Sequence, residues 1–438
     1  MNLINKNMIV LGAGSSGRAA AALALAQGAR VAVHDTAGQI TGLPEGVTSV
    51  PGASVETGQQ SHCDLLVLSP GIDGESDFVK SYQKNAGEMV GEVEFGYRYF
   101  KGKIVAITGT NGKTTTTELV DRILNHHGIS CLPCGNYGKA FSAVALMENP
   151  PEAVALEVSS FQLETIKEFH PDVAIWLNFS ADHMDRYPTI EAYKAAKLRI
   201  FENLTDENHV ILRAGEDVGK LRAPVITFST EEEADYSLHD GWICQGGEQK
   251  INLSETRLRG LHNAENAMAA YAACATLGVS ASGANQALRG FAPPLHRCEL
   301  VRTLDGVEYI NDSKATNLHA LDSALRSQCR PIVLIAGGKQ KGLDYSEVLP
   351  RLQATTKGIV VFGEIGQQLA DTFNPLSTAE KPVPTNLVSS LEDAIQVAKS
   401  MAEHGDTILF SPGTSSFDMF SGYEERGDYF RRIVKKLK

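Results

Sequence analysis

Lys103-Ile-Val-Ala-Ile-Thr-Gly-Thr-Asn-Gly-Lys-Thr-Thr-Thr-Thr-Glu118 is the stretch on which the fold turns. An apolar run over 103–108 enters a glycine turn, and the turn opens onto a helix. A strand, a glycine loop and a helix in that order make a phosphate loop. Its backbone N–H groups cradle phosphates, Lys113 reaches them as a point charge, and the Thr114 hydroxyl can ligate Mg²⁺. The loop departs from the general GxxxxGK[ST] pattern at one position, since Ile107 stands six residues before Lys113.

Outward from this stretch, the same rhythm of buried strand and helix recurs on both sides and predicts parallel α/β domains. On the N-terminal side, Gly12-Ala-Gly14-Ser-Ser-Gly17 follows a strand over 8–11 and opens a helix over 17–27. Asp35 follows a second strand over 29–34, and a later strand is read over 65–69. This is a Rossmann-type fingerprint, in which glycines admit a phosphate and the acid can hold a hydroxyl. A tight strand-to-helix turn without a ligand is the alternative, and the pattern does not say which nucleotide binds. On the C-terminal side, strands are read over 153–157 and 173–178, and an alanine-rich helix near 263–277. Glu157 ends the first of these strands, well placed for Mg²⁺ beside a phosphate loop. Asp182-His183-Met-Asp185-Arg186 follows the second and offers another metal site. Lys197 sits on the next helix, and its spacing alone reads as a solvated surface lysine. A third block has strands over 332–336, 359–362 and 407–410 and an amphipathic helix over 391–404. Three domains are therefore expected, 1–93, 94–295 and 296–438: a Rossmann-like domain, a P-loop ATPase-like domain with a mainly parallel sheet, and a second Rossmann-like domain.

Bulk properties agree. The chain has 438 residues, and domains of about 150 residues predict three. Apolar residues at 43% and charged residues at 21% are ordinary for a soluble globular protein. The formal net charge of −12 argues against non-specific nucleic-acid binding, which needs Lys and Arg to neutralise phosphates. The first apolar run, 8–11, is too short for a signal-peptide core, and no stretch reaches the ~18 apolar residues of a membrane span. A cytoplasmic protein is expected. Seven cysteines, an odd number, fit a reducing compartment better than a disulfide framework. Cys131-Leu-Pro-Cys134 has redox-motif spacing, but Gly135-Asn136 follows where such a motif opens a helix; the pair is read as two thiols near a turn.

Taken together, GTNGKTTT, LEVSSFQLE, NFSADHMDRY, YKAAKLRIFE, LHNAENAMAA, HRCE, INDSKATN and SPGTSSFDMF occur in an order that resembles the Mur ligases of peptidoglycan precursor synthesis. The resemblance spans essentially the whole chain. INDSKATN with SSFQLE and DHMDRY is similar to the branch of that family that adds D-glutamate. The resemblance implies a monomeric ATP-dependent ligase whose substrates are UDP-N-acetylmuramoyl-L-alanine, D-glutamate and ATP. It implies that Ser15, Ser16, Asp35 and Thr36 lie along the UDP part, with Gly71 and Asn136 nearer the sugar. Gly109, Thr110, Asn111, Gly112, Lys113, Thr114 and Thr115 then form the ATP phosphate site. Asn266, Arg297 and Asp312 make further ATP contacts. Glu157 and His183 complete two magnesium sites with Thr114, and Lys197 is carbamylated. Lys314, Thr316, Lys341, Ser416 and Tyr423 surround D-glutamate. Two positions depart from the family pattern: Ala181 where glutamate is expected, and Tyr423 where phenylalanine is more usual.

The implied chemistry activates a carboxylate as an acyl phosphate, which the amino-acid amine attacks. A nicotinamide-dependent oxidoreductase would leave the phosphate loop unexplained. A nucleotide-gated binding protein would leave the third block without a role.

Overall fold

The computed structural model describes residues 2–438 apart from His183, Asp185, Arg259, 292–294, Cys329 and 378–380. Three sheets carry the chain. The first has the strand order Thr48–Pro51, Arg30–Asp35, Asn7–Leu11, Cys63–Leu68, Ala86–Gly91, all parallel. Met8 and Val10 enter the core on one face, while Ile9 and Leu11 enter the core on the other. Burial on both faces explains why this strand reads as an unbroken apolar run. Strand order reverses between Asn7–Leu11 and Cys63–Leu68, and a crevice at the carboxyl ends of such strands is where ligands bind.

The second sheet has nine strands. Lys103–Thr108 lies between Ala153–Glu157 and Val173–Trp176, and Cys131–Gly135 forms one edge. Ile107 pairs with Glu157 in parallel register, so the acid stands beside the start of the phosphate loop. At the other end, Tyr236–His239, Trp242–Gln245 and Glu248–Asn252 form an antiparallel meander. The first two sheets are joined by buried carboxylates on the helix Glu92–Tyr97. Glu94 Oε2 accepts the backbone N–H groups of Lys167, Glu168 and Phe169 at 2.9, 3.1 and 2.9 Å. Its other oxygen accepts Arg98 Nε at 2.9 Å. Both sheets belong to one compact unit, Met1–Asn252 with Glu265–Arg289.

The second compact unit is Leu253–Ala264 with Gly290–Lys438. Its sheet runs Glu299–Leu304, Val307–Asn311, Thr407–Phe410, Ile332–Gly337, Thr356–Phe362, Thr385–Leu387. Only the first pair is antiparallel. The two faces carry separate cores, around Leu334 and Leu409 on one side and around Ile335 and Phe410 on the other.

Cys131 and Cys134 are buried on the edge strand Cys131–Gly135, and the chain turns back directly after Cys134 through Gly135 and Gly138. Three residues of extended chain put their Cα atoms about 10 Å apart, beyond the ~7 Å limit for a disulfide. Burial pushes the Cys131 thiol up, with Asp121 adding to it. The motif is structural. Among the described residues, no helix is long and apolar enough to cross a membrane.

Candidate functional site

The phosphate loop is shaped from both sides. Gly109 has φ +153° and Gly112 φ +85°, and a Cβ on Gly112 would stand 2.3 Å from Asn266 Oδ1. Glycine is therefore required there both for its backbone and for the close approach of Asn266. Asn178 holds the outer arm of the loop. Its carbonyl accepts Thr110 N–H at 2.9 Å, and its side chain exchanges hydrogen bonds with Asn111 at 2.9 and 3.2 Å. The helix Lys113–His127 starts at once, and the first N–H groups of a helix have no acceptor within it. That end of a helix attracts anions.

Thr114 Oγ1 donates to Glu157 Oε2 at 2.9 Å, and Asn136 Nδ2 donates to Glu157 Oε1 at 2.7 Å. Glu157 thus joins the phosphate-loop helix to the loop after the edge strand Cys131–Gly135. Tyr137, next to Asn136, donates a second tie to Glu118 on that helix. Thr114 and Glu157 supply hard oxygen donors of the kind Mg²⁺ prefers. Among the described residues no group of three or more His, Cys, Asp and Glu gathers as a metal cluster. His183 lies outside the described residues.

Lys197 overturns its surface reading. It is 2% exposed, and its Nζ donates to Gly109 O at 2.9 Å. Lys113 Nζ donates to that same carbonyl at 2.9 Å and to Thr110 O at 2.9 Å. Two lysines converge on one oxygen. Burial drives the Lys197 pKa well below the ordinary lysine value, and Lys113 pushes it the same way, against Asp182 and Glu157. The spacing of 193–197 gave no sign of this, because the helix Ile190–Leu198 turns Tyr193 and Lys197 inward together.

In the first sheet, Gly12 adopts φ +97°. A Cβ on Gly17 would stand 1.8 Å from Gly12 O, whereas one on Gly14 would meet nothing within 4 Å. So Gly17 serves packing, and the space over Gly14 is open. Asp35 accepts Ala13 N–H at 2.7 Å and Ala37 N–H at 2.9 Å, which shapes the glycine loop. Ser15, Thr36, Gly71 and Asn136 are exposed and Ser16 is half-buried.

In the second unit, Asp312 is buried, accepts Cys298 N–H at 3.1 Å and Ser411 Oγ at 2.9 Å, and burial raises its pKa to about 7. Arg297 lies close enough to act on its charge. Lys314 Nζ sits 3.6 Å from the centre of the Tyr423 ring. Lys341 is exposed and donates to Thr316 O at 3.3 Å. Ser416 is buried. Two residues of these sites were missed from sequence: Asn178, inside a quoted motif but unassigned, and Arg426, three residues past Tyr423.

A phosphate loop on a largely parallel sheet, next to a Rossmann-type sheet, defines a nucleotide-binding α/β protein with a third α/β sheet appended. Residues 107–274 match the family profile described as Mur ligase middle domain, and 296–413 that described as Mur ligase, glutamate ligase domain. The UDP-N-acetylmuramoylalanine–D-glutamate ligase of Alkaliphilus metalliredigens (strain QYMF) is 37% identical over 458 residues, covering 100% of both chains. That of Geobacter metallireducens (strain ATCC 53774 / DSM 7210 / GS-15) is 38% identical over 454 residues, covering 100% of this chain and 99% of its own. Among solved structures, UDP-N-acetylmuramate-alanine ligase MurC from Thermotoga maritima superposes with a TM-score of 0.61 at 19% identity, over 99% of this chain and 100% of that one. MurF ligase from Thermotoga maritima in complex with ADP gives 0.61 at 18%, over 99% and 96%. At such identities the structures speak for the fold. The chain belongs to the Mur ligase family and is a ligase.

Proposed function

We propose that this chain is the ATP-dependent ligase that joins D-glutamate to UDP-N-acetylmuramoyl-L-alanine in peptidoglycan precursor synthesis. The observation that carries the substrate assignment is the end-to-end similarity to relatives that bear that name. The gathering of Lys113, Thr114, Glu157, Asn136 and Lys197 around one loop supports the chemistry.

A bare carboxylate is a poor electrophile. In the proposed reaction the terminal phosphoryl of ATP passes to the L-alanine carboxylate, which becomes an acyl phosphate, and ADP leaves. The D-glutamate amine, without its proton, adds to the acyl carbon. The tetrahedral adduct expels phosphate and leaves an amide. Lys113 offsets charge on the phosphoryl group in transit, together with Arg297; Thr114 and Glu157 would hold magnesium, and His183 would serve a second ion. Magnesium, when bound, neutralises phosphate charge. Lys197 takes up CO₂: the neutral amine adds to the carbon and loses a proton, so a buried cation becomes an anionic oxygen donor. A buried lysine whose ammonium is disfavoured has the neutral amine this step requires.

Ser15, Ser16, Asp35 and Thr36 hold the uridine diphosphate end, and Gly71 and Asn136 the sugar. Asn266, Arg297 and Asp312 complete the ATP site. Lys314, Thr316, Lys341, Ser416 and Tyr423 bind D-glutamate. Domain limits at 1–93, 94–295 and 296–438 separate the three roles. The chain works as a monomer in the cytoplasm, where ATP and the nucleotide-linked precursor are found. The test is ADP release that requires both UDP-N-acetylmuramoyl-L-alanine and D-glutamate; release independent of either one refutes the assignment.

A further inference from the structure

Arg426 has no exposed surface, and among the described residues no carboxylate pairs with it. Its four hydrogen bonds go elsewhere. Nη2 donates to Ser313 O at 2.8 Å and Thr414 O at 3.1 Å, and Nη1 to Ser415 O at 3.1 Å. Nε donates to Ser313 Oγ at 3.1 Å, and that hydroxyl in turn donates to Tyr423 O at 2.9 Å. Burying a charge without an ionic partner is costly. Burial lowers this guanidinium to about 10, with Asp418 and Asp312 acting in the opposite direction. Simple helix packing against the sheet needs no cation, and an apolar side chain of the same volume would serve it better.

The acceptors are informative. Ser313 O belongs to the peptide that leads into Lys314, and Ser415 O to the peptide that leads into Ser416. Both follow carboxyl ends of parallel strands, Val307–Asn311 and Thr407–Phe410. A third loop joins them: Lys339 N–H donates to Ser415 O at 2.9 Å, and Thr414 Oγ1 donates to Lys339 O at 2.5 Å. That loop carries Lys341. A Cβ on Gly338 would stand 2.2 Å from Ser415 O and 3.0 Å from Arg426 Nη1, and Gly338 holds φ +141°. The three loops therefore close tightly over the guanidinium. A planar fork presents five donors at fixed spacing to the separate backbone segments around it, whereas a lysine ammonium offers three donors without that fixed geometry.

We infer that Arg426 is a positioning residue for amino-acid selection: it fixes the peptide planes before Lys314 and Ser416, and so sets where their side chains meet the two carboxylates of the incoming dicarboxylic amino acid. This rests on the proposed reading of the second unit as the amino-acid site. Arg426 itself touches no substrate.

The test is steady-state kinetics on the full chain. Wild-type ADP release must first depend on both co-substrates; if it does not, the functional reading fails and takes this inference with it. Given that activity, Arg426→Lys keeps the charge and loses the fork. Misplacement by a fraction of an ångström should raise the KM for D-glutamate about ten- to hundredfold while the KM for ATP and for the UDP-substrate stay within about twofold. Arg426→Gly opens a hole at the guanidinium, and added ethylguanidine should lower its D-glutamate KM again, which a general loss of stability would not produce. A lysine variant with wild-type D-glutamate KM overturns the inference. So do three KM values rising together, or a fall in kcat with the D-glutamate KM unmoved.

Discussion

Lys113 and Lys197 meet one carbonyl, Gly109 O, yet they are expected to do different work. Lys113→Ala removes the charge proposed to face the phosphates. Turnover should fall by orders of magnitude with the fold intact, and near-normal ADP release from a folded mutant would remove the loop from the mechanism. Lys197→Ala should also be nearly inactive, but small carboxylic acids should restore part of its activity by placing an anionic oxygen in the vacated space. Failure of every small acid to rescue, with Lys197 seen as a free amine in a crystal, would count against the carbamate. Asp312 gives a prediction in pH. Its carboxyl is raised from 3.8 to about 7, so its protonated form is favoured by folding. That contribution to stability is full below about pH 4 and is lost as pH rises through about 7. Asp312→Asn should therefore be more stable than wild type at pH 8, by up to about 4 kcal/mol, and should lose that advantage by pH 4. Urea midpoints at the two pH values measure it; an equal gap at both would mean that ionisation is not the cause. At this scale the sequence was half legible. Lys113, Thr114 and Glu157 announce themselves because a glycine loop and a strand end dictate their surroundings. Lys197 and Arg426 do not, since a lysine or arginine on a helix looks the same in sequence whether it faces water or the core.

Among the elements, the strands that could be read are those buried on both faces, such as Lys103–Thr108, where Ile104 to Ile107 are all at or below 3% exposure. Several that could not be read lie at sheet edges. Cys131–Gly135 contains Pro133 and ends in a glycine; an edge strand tolerates the missing N–H, and pattern reading takes the same residues for a turn. The meander over 236–252 alternates too briefly and carries too many polar side chains to stand out. Strand–helix units also set a sharp limit on substitution. Gly17→Ala would drive a methyl group into Gly12 O, 1.8 Å from an ideal Cβ. The helix Ser15–Ala26 must then shift off the strand, at a cost of about 1–3 kcal/mol for overpacking. The KM for the UDP-substrate should rise with it if, as proposed, the same glycine turn holds the nucleotide. Gly14→Ala, with open space around its Cβ, should leave the urea midpoint within about 0.5 kcal/mol. Equal loss in the two variants would refute the division of labour between these glycines.

At the scale of the whole molecule, the proposed reaction needs the first two sheets held in fixed relation, because in it the sugar end of one substrate must meet the phosphate of another. Glu94 does much of this holding. One carboxylate oxygen collects three N–H groups from 167–169 and the other engages Arg98, and Arg98 also makes a two-pronged pair with Glu88 at 2.8 Å. The arrangement does not show in the sequence, because a glutamate or arginine near a domain boundary looks the same there whether it is solvated or buried. Glu94→Gln keeps the shape but has only one acceptor oxygen. If that oxygen faces the three N–H groups, the amide nitrogen faces Arg98, donor against donor; if it is turned round, three buried N–H groups lose their acceptor. Either way a buried donor is left unmatched, at a cost of about 1–3 kcal/mol. The urea midpoint should drop accordingly. The KM for the UDP-substrate should rise more than that for ATP, because the first sheet loosens while the phosphate loop keeps its own contacts to Asn178 and Glu157. A midpoint equal to wild type would show that the carboxylate is dispensable at this junction. A larger effect on ATP than on the UDP-substrate would mean that the junction acts through the second sheet.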